Sequence, residues 1–156
     1  MLEKNNIYLI GPMAAGKSTV GKILAQRTNK PFYDTDAELI KCTGVEISLI
    51  FELEGEEGFR RRETEKLKKL ADLNGAVIAT GGGIVLKEEN RRILNRTKYD
   101  TKRPLLQTDN PRAKLEELMR HRAPLYESIA DITISTDKAN SKRVIKTIID
   151  KLNIKS

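Results

Sequence analysis

The stretch GPMAAGKST, residues 11–19, carries the residue types and spacing of a polyphosphate-binding loop. It matches the pattern G-x-x-x-x-G-K-[ST] at Gly11, Gly16, Lys17 and Ser18. Glycine permits positive φ and close backbone approach, so successive N–H groups turn inward around a phosphate. The lysine of this pattern reaches the β- and γ-phosphates, and the hydroxyl after it ligates Mg²⁺. The loop therefore predicts a nucleoside triphosphate site.

The residues around this loop predict the strand and the helix that such a loop requires. The apolar run IYLI precedes it, and residues 17–28 have helical spacing with Val20, Ile23 and Leu24 on the inward face. The helix adds the positive end of its dipole at the loop. The alternative is a glycine turn that precedes a lysine by chance, which the strand, loop and helix in register disfavour.

Two carboxylates and three glycines follow two further predicted strands. Asp34 and Asp36 alternate about Thr35 in FYDTD, so one is expected to face a metal and the other a substrate. A helix cap is the alternative for Asp36, because a helix is predicted from residue 37. In the run Gly81–Gly83, each glycine costs about 0.5–1 kcal/mol of chain entropy, which predicts close backbone approach or positive φ. A tight structural turn is the alternative.

The clustered arginines and the single histidine divide into site and surface candidates. In FRRRE only one or two of three successive arginines can face a cleft. Arg60 follows the apolar Phe59 and is expected to pair with Glu63 at i+3, whereas Arg61 and Arg62 are expected to be solvated. His121 lies among basic residues on a predicted helix surface and is interpreted as a surface residue.

Strand and helix signals alternate along the chain, which predicts a doubly wound parallel α/β sheet. The predicted strands are 7–10, 31–36, 76–80 and 131–135, and the predicted helices are 17–28, 37–44, 46–55, 56–73, 87–95 and 141–152. The segments KRPLL and MRHRAPLY are predicted to be irregular. Ligands of such sheets bind at the carboxyl ends of the strands, where the loop, the carboxylates and the glycines meet.

Composition limits the class of protein. The 156 residues, 33% charged and 38% hydrophobic, predict a single domain with a substantial core. The net charge of +7 suits anionic ligands, while the 4% aromatic content disfavours a nucleic-acid surface. One cysteine, Cys42, excludes an internal disulfide and is given no catalytic role. No apolar stretch could span a membrane, so we expect a cytoplasmic monomer without membrane or nucleic-acid partners.

Six motifs together, in this order, resemble the shikimate kinase family from about residue 5 to the C-terminus. They are GPMAAGKST, FYDTD, FELEGEEGFRRRE, ATGGG, KRPLL and RAPLYESIAD. The resemblance implies a three-layer P-loop kinase fold in one domain, 1–156, whose central parallel sheet is flanked by helices. A substrate-binding region is implied at about 34–62 and a mobile lid at about 97–115.

The resemblance implies transfer of the γ-phosphoryl group of ATP to the 3-hydroxyl of shikimate, in aromatic amino-acid biosynthesis. Two alternatives remain: a P-loop kinase of another small hydroxylated acid such as gluconate, and a basic nucleic-acid-binding module without catalysis. The first should lose the substrate arginines while keeping the loop. The second should bind nucleic acid with a steep salt dependence and turn over no ATP.

Residue roles follow from the resemblance position by position. The implied ATP-binding residues are Ala14, Ala15, Gly16, Lys17, Ser18, Thr19, Arg96 and Arg103, and the implied Mg²⁺ ligands are Ser18 and Asp34. The implied substrate-binding residues are Asp36, Arg60, Gly82 and Arg122, and the implied catalytic residues are Lys17, Asp36 and Arg103. Ala14 departs from the family, because many members have glycine there.

A larger departure from the family lies after Asn95. The family has an apolar strand and part of a helix between RRILN and RTKYDTKRPLL, a piece of roughly 15–20 residues. Here Asn95 and Arg96 adjoin. No other segment is predicted to replace that strand beside the first strand, so residues are expected to be missing at this junction. The Cα atoms of Asn95 and Arg96 should then lie well beyond the 3.8 Å of a trans peptide.

Overall fold

The strands form a parallel sheet, as the alternation of strand and helix signals predicts. The computed structural model describes residues 6–95, 104–107, 113–136 and 140–154. Its strands in these ranges are β1 (Ile7–Leu9), β2 (Phe32–Asp34), β3 (Val77–Ala79), β4 (Pro104–Gln107) and β5 (Ile132–Ser135). β3 lies between β1 and β2, and β4 pairs with β5. A parallel bridge between Ile10 and Leu105 joins the two parts in the order β2-β3-β1-β4-β5.

The helices connect these strands and cover both faces of the sheet. They are α1 (Lys17–Arg27), α2 (Thr35–Thr43), α3 (Ile47–Ala71), α4 (Glu88–Asn95), α5 (Ala113–Ile129) and α6 (Ser141–Lys151), with a 3₁₀ turn at Ile84–Leu86. Gly55 interrupts α3 with φ 70° and ψ −179°, so two helical halves meet there, as the sequence predicts. Within the described ranges, no helix combines the length and apolarity needed to cross a bilayer.

The sheet lies between two layers of helices, and a hydrophobic core is buried on each of its faces. Ile7 and Leu9 point to the layer of α1 and α6, whereas Tyr8 and Ile10 point to the layer of α3, α4 and α5. Central parallel strands are apolar on both faces for this reason. The predicted inward positions of α1 are confirmed: Val20 and Leu24 are buried, and Ile23 is partly buried. Phe59, Leu67 and Leu70 of α3 are buried as well.

The prediction that KRPLL is irregular is wrong, because its residues 104–106 belong to β4. The N–H of Ile10 donates to the carbonyl of Pro104 at 3.0 Å, and the N–H of Leu106 donates to the carbonyl of Ile10 at 2.9 Å. The edge of β1 needs such partners, since buried peptide groups without them are heavily penalised. Leu105 and Leu106 are 1% and 0% exposed and extend the two cores. The prediction that no segment could replace the family's strand is therefore also wrong.

The prediction that MRHRAPLY is irregular is wrong as well, because it lies within α5. Pro124 is inside this helix and removes one backbone hydrogen bond. Tyr126 and Ile129, which follow it, are buried against the central sheet. Tertiary packing thus maintains the helix through a residue that disfavours it.

The junction after Asn95 and most of the predicted lid lie outside the described residues. Arg96 and residues 97–103 and 108–112 belong to this group. The predicted gap between Asn95 and Arg96 therefore stays a prediction, as does the lid. Within the lid range, Pro104–Gln107 forms β4, and α5 begins at Ala113.

Candidate active site

The loop between β1 and α1 has the backbone conformation of a phosphate cradle. Gly11, Ala14 and Gly16 have positive φ, at 143°, 64° and 86°. A Cβ on Gly11 would overlap the carbonyl oxygen of Leu106, so β4 restricts this position to glycine. Ala14 tolerates its left-handed conformation at a cost of roughly 1–2 kcal/mol. Gly16 caps α1 without a side-chain hydrogen bond, which leaves the first N–H groups of the helix for an anion.

Lys17 lies folded over this loop. Its Nζ donates to the carbonyls of Gly11 and Pro12, both at 2.7 Å. Burial lowers the pKa of Lys17 to about 8, while the nearby Asp36 and Asp34 oppose this shift. The ammonium is thus held at the cradle by weak neutral acceptors that a phosphate oxygen would outcompete.

Asp34 ends β2 and is the N-cap of α2. Its Oδ1 accepts from the N–H groups of Asp36 and Ala37 at 3.0 and 3.1 Å. Its Oδ2 accepts a hydrogen bond from the hydroxyl of Ser18 at the start of α1. The capping alternative for Asp36 is therefore wrong, because the extended backbone of Asp34, with φ −118° and ψ 126°, places the cap two residues earlier.

Asp36 points into the cleft instead. Its Oδ1 is buried and has no hydrogen-bond partner among the residues that the structure describes. Burial and the charge of Asp34 raise the pKa of Asp36, while Lys17 and Arg60 lower it. A buried carboxylate oxygen without a partner is rare in folded proteins and calls for an explanation. Here a ligand hydroxyl in the cleft would supply the missing donor.

The glycine run after β3 lies against charged side chains. A Cβ on Gly83 would overlap the guanidinium of Arg60, and one on Gly81 would lie 2.9 Å from Oε2 of Glu63. None of these three glycines has positive φ. Close approach therefore accounts for Gly81 and Gly83, and positive φ accounts for none of the three glycines.

Arg60 and Glu63 form the ion pair that their i+3 spacing predicts. Nη1 of Arg60 lies 2.9 Å from Oε1 of Glu63, and the two side chains are only 12% and 1% exposed. Within the described part of the chain, Nε of Arg60 and Oε2 of Glu63 are buried without hydrogen-bond partners. Burial raises the pKa of Glu63, while Arg60 lowers it. The sequence identified Glu63 only as a partner of Arg60, yet it also faces the glycine run.

α5 brings Arg122 and Tyr126 to the same place. Nη1 of Arg122 lies 3.6 Å from the position that a Cβ on Gly82 would occupy. The hydroxyl of Tyr126 donates to the carbonyl of Gly82. The structure thus brings together all four predicted substrate residues, Asp36, Arg60, Gly82 and Arg122. Tyr126 was missed, because its apolar neighbours in the sequence indicate only a buried ring.

Two adjoining clefts meet at the phosphate loop. One, of about 300 Å³, is lined by Lys17, Ser18, Asp34, Asp36 and Gly82, among others. The other, of about 290 Å³, lies on the far side of the loop between Ala14–Gly16, Thr19, Thr136, Ser141 and Val144. The residues after β5 in this second cleft were missed, because nothing in their types distinguishes them.

The remaining sequence candidates lie away from these clefts or outside the described residues. His121 is exposed on α5, as predicted. Arg61 is exposed, and Arg62 pairs at the surface with Glu54 at 2.6 Å. Cys42 is exposed near the end of α2 and accepts from Nζ of Lys66 at 2.8 Å. The two predicted nucleotide arginines Arg96 and Arg103 are outside the described ranges.

The fold and the site together define the class of protein to which this chain belongs. A phosphate loop after the central strand, with a carboxylate pair and a charged acceptor pocket beside it, is the arrangement of P-loop small-molecule kinases. The Shikimate kinase family model matches residues 13–153. A shikimate kinase from Haemophilus influenzae (strain PittEE) is 49% identical over 168 aligned positions, covering 96% of this chain and 93% of the relative. The chain belongs to the shikimate kinase family.

Solved structures agree with this assignment. A shikimate kinase from Acinetobacter baumannii, solved in complex with shikimate, superposes with a TM-score of 0.88 at 37% identity, covering 96% of this chain and 93% of that one. A gluconokinase from Sinorhizobium meliloti has a TM-score of 0.53 at 16% identity, so it shares the fold alone.

Proposed function

We propose that this chain transfers the γ-phosphoryl group of ATP to the 3-hydroxyl of shikimate. One observation carries the proposal beyond family membership: buried polar atoms of Asp36, Arg60 and Glu63 lack partners and converge beside the phosphate-loop cleft. A hydroxylated carboxylate offers the donors and acceptors that such a set needs. The relative from A. baumannii was solved with shikimate bound.

ATP would bind along the phosphate loop. The free N–H groups at the start of α1 and the ammonium of Lys17 would hold the β- and γ-phosphates. The second cleft, which Thr19, Thr136 and Ser141 line, would take the nucleoside. Arg96 and Arg103 are proposed to complete this site at the base and at the phosphates.

Ser18 and Asp34 fit the oxygen ligands that Mg²⁺ prefers. The hydroxyl of Ser18 and Oδ2 of Asp34 lie together at the mouth of the loop, while Oδ1 of Asp34 accepts the hydrogen bonds of the helix cap. Mg²⁺ sites of kinases use one or two such protein ligands and complete the shell with water and phosphate oxygens. When bound, the ion neutralises charge on the β- and γ-phosphates.

Shikimate would bind between the glycine run and the arginines. Arg60, Arg122 and the N–H of Gly82 would hold its carboxylate through charge-assisted hydrogen bonds. Asp36 would accept from the reacting hydroxyl and take its proton, for which its raised pKa suits it. Glu63 holds Arg60 in place. We further propose a lid around Arg103 that excludes water, the competing phosphoryl acceptor.

The two other functions lose support. A kinase of another hydroxylated acid such as gluconate should lack the pocket of Arg60, Gly82 and Arg122, which is present here. A nucleic-acid module has no use for buried, partnerless carboxylates beside a phosphate loop. The cytoplasmic and monomeric state stays an expectation.

A coupled assay of ADP release tests the proposal. ADP should form with MgATP and shikimate together, and only at background rate when shikimate is omitted or replaced by gluconate. Lys17→Ala should abolish transfer and leave the fold intact by circular dichroism, because Lys17 neutralises charge that only the nucleotide brings. Equal rates with gluconate, or wild-type turnover by Lys17→Ala, would contradict the proposal.

A further inference from the structure

Two hydroxyl side chains from distant elements hold the glycine run by its backbone. The N–H of Gly81 donates to Oγ1 of Thr35, the fully buried first residue of α2, at 2.9 Å. The carbonyl of Gly82 accepts from the phenol of Tyr126 in α5. The Thr80–Gly81 and Gly82–Gly83 peptides are therefore held, one on each side of the peptide that joins Gly81 to Gly82. That peptide carries the N–H of Gly82.

The phenol of Tyr126 holds the Gly82–Gly83 peptide at the place where Arg122 approaches Gly82. A phenol has one O–H to donate and otherwise only accepts. Tyr126 uses that O–H on the carbonyl of Gly82, and Nη1 of Arg122 lies 3.6 Å from the position that a Cβ on Gly82 would occupy. Burial raises the pKa of the Tyr126 phenol, and the nearby charge of Arg122 opposes this shift. The ring is 0% exposed in the core between α5 and the sheet, so the hydroxyl has little freedom to move. The hydroxyl of Tyr126 thus holds the backbone of Gly82 beside the guanidinium of Arg122.

We propose that Tyr126 is a positioning residue for the substrate carboxylate. Its hydroxyl holds the carbonyl of Gly82 beside the Arg122 guanidinium, which fixes the backbone of Gly82 so that its N–H and the guanidinium point to one anion. The inference rests on the proposed function, because it assumes that these two groups bind the carboxylate of shikimate. Tyr126 itself needs no contact with shikimate.

Tyr126→Phe tests this role, since it keeps the buried ring and removes one oxygen. The KM for shikimate should rise about tenfold, as the loss of one ordered hydrogen bond implies, while the KM for ATP stays within about twofold. The matched control is Tyr33→Phe, which removes the same atom from a partly buried tyrosine of β2 outside the carboxylate pocket. It should behave as wild type in both constants.

Methyl shikimate, a neutral ester, separates positioning from mere packing. If Tyr126 acts on the carboxylate, Tyr126→Phe should weaken shikimate binding much more than binding of the ester in competition assays. An equal loss for both ligands, or a Tyr126→Phe enzyme that matches Tyr33→Phe, would overturn the inference. A wild-type enzyme without shikimate-dependent turnover would instead remove the proposed function, and this inference would fall with it.

Discussion

Asp34 and Asp36 stand two residues apart, and their hydrogen bonds differ completely. Asp34 uses one oxygen on the helix cap and the other on Ser18, whereas Asp36 keeps a buried oxygen without a partner. The first carboxylate is therefore fixed by the fold, and the second is available to a ligand. This separation permits a test of Asp36 that does not disturb α2.

Asp36→Asn should lower kcat at least about 100-fold and leave the Kd for ATP nearly unchanged. The amide keeps the size of the side chain but cannot take a proton, and the cap on Asp34 remains. Stopped assays and calorimetry measure the two quantities. Asp150→Asn, an exposed change on α6, serves as the control and should be silent. Activity near wild type in Asp36→Asn would exclude the catalytic role.

Arg60→Ala and Arg122→Ala should each weaken shikimate binding by about 1.5–3 kcal/mol and barely affect ATP. Each removes a charge-assisted hydrogen bond to the carboxylate. Arg61→Ala removes the same side chain from the next, exposed position and should change neither affinity. Calorimetric titration measures the affinity of each variant for shikimate and for ATP. Equal losses of affinity for the two ligands would mean that these arginines act on the fold.

Lys17 should make ATP binding depend on pH above its pKa of about 8. Phosphate charges raise that pKa in the complex, so between the free and bound values the complex holds more protons and affinity falls as pH rises. Calorimetry in two buffers of different ionisation enthalpy should show proton uptake at pH 9 and almost none at pH 7. Lys17→Arg, which stays charged, should remove the uptake, and its persistence there would implicate another group.

The contacts of this site that the sequence predicts are those between residues that are close together along the chain. The Arg60–Glu63 pair needs only helical spacing, and the loop at Gly11–Ser18 needs only a motif in its context. Tyr126 and Gly82 lie 44 positions apart, so only the packing of α5 brings them together. The sequence offers a helix cap only as the alternative role of Asp36, whereas Asp34 is the cap. The predicted start at residue 37 lies two residues after the observed one, because helix boundaries shift by one or two residues in such predictions.

At the scale of elements, β4 depends on its neighbours more than on its own residues. Pro104 starts the strand, where a missing N–H is tolerated, and only two leucines follow it. Such a short run predicts neither strand nor helix by itself. The unpaired edge of β1 selects it, through the hydrogen bonds of Ile10. The elements with longer hydrophobic patterns, such as α1 and α6, are predicted from their own residues without a neighbouring element.

Leu106→Ala should lower the free energy of unfolding by about 2–5 kcal/mol, because Leu106 is fully buried between the sheet and α6. Leu53→Ala is the matched control, since Leu53 is 73% exposed and its loss should stay within about 0.5 kcal/mol. Urea unfolding measures both. Equal effects of the two changes would mean that residues 104–107 do not lie in the sheet.

At the scale of the whole molecule, the charge of the chain suits its proposed substrates. The net charge is +7, and both ATP and shikimate are anions. A positive field speeds the approach of anions and weakens as salt screens it. The positive charge thus needs no nucleic acid to explain it.

The mass of the protein purified from its natural source should exceed the 17.6 kDa of this chain. The family pattern predicts missing residues after Asn95, and the alignment with the H. influenzae relative, at 168 positions, is longer than the 156 residues here. Intact-mass spectrometry measures it. A mass of 17.6 kDa would contradict the prediction, and the observed place of Pro104–Gln107 beside β1 would then need no missing strand.

Cys42 offers a single position for chemical labelling of this protein. It is the sole cysteine of the chain, it is exposed, and it lies near the end of the helix that carries Asp36. α2 packs on α3, which bears Arg60. A thiol-reactive fluorophore would therefore attach at one position without prior mutagenesis. Its emission would report on the acceptor side of the enzyme and could follow shikimate binding in real time, separately from turnover.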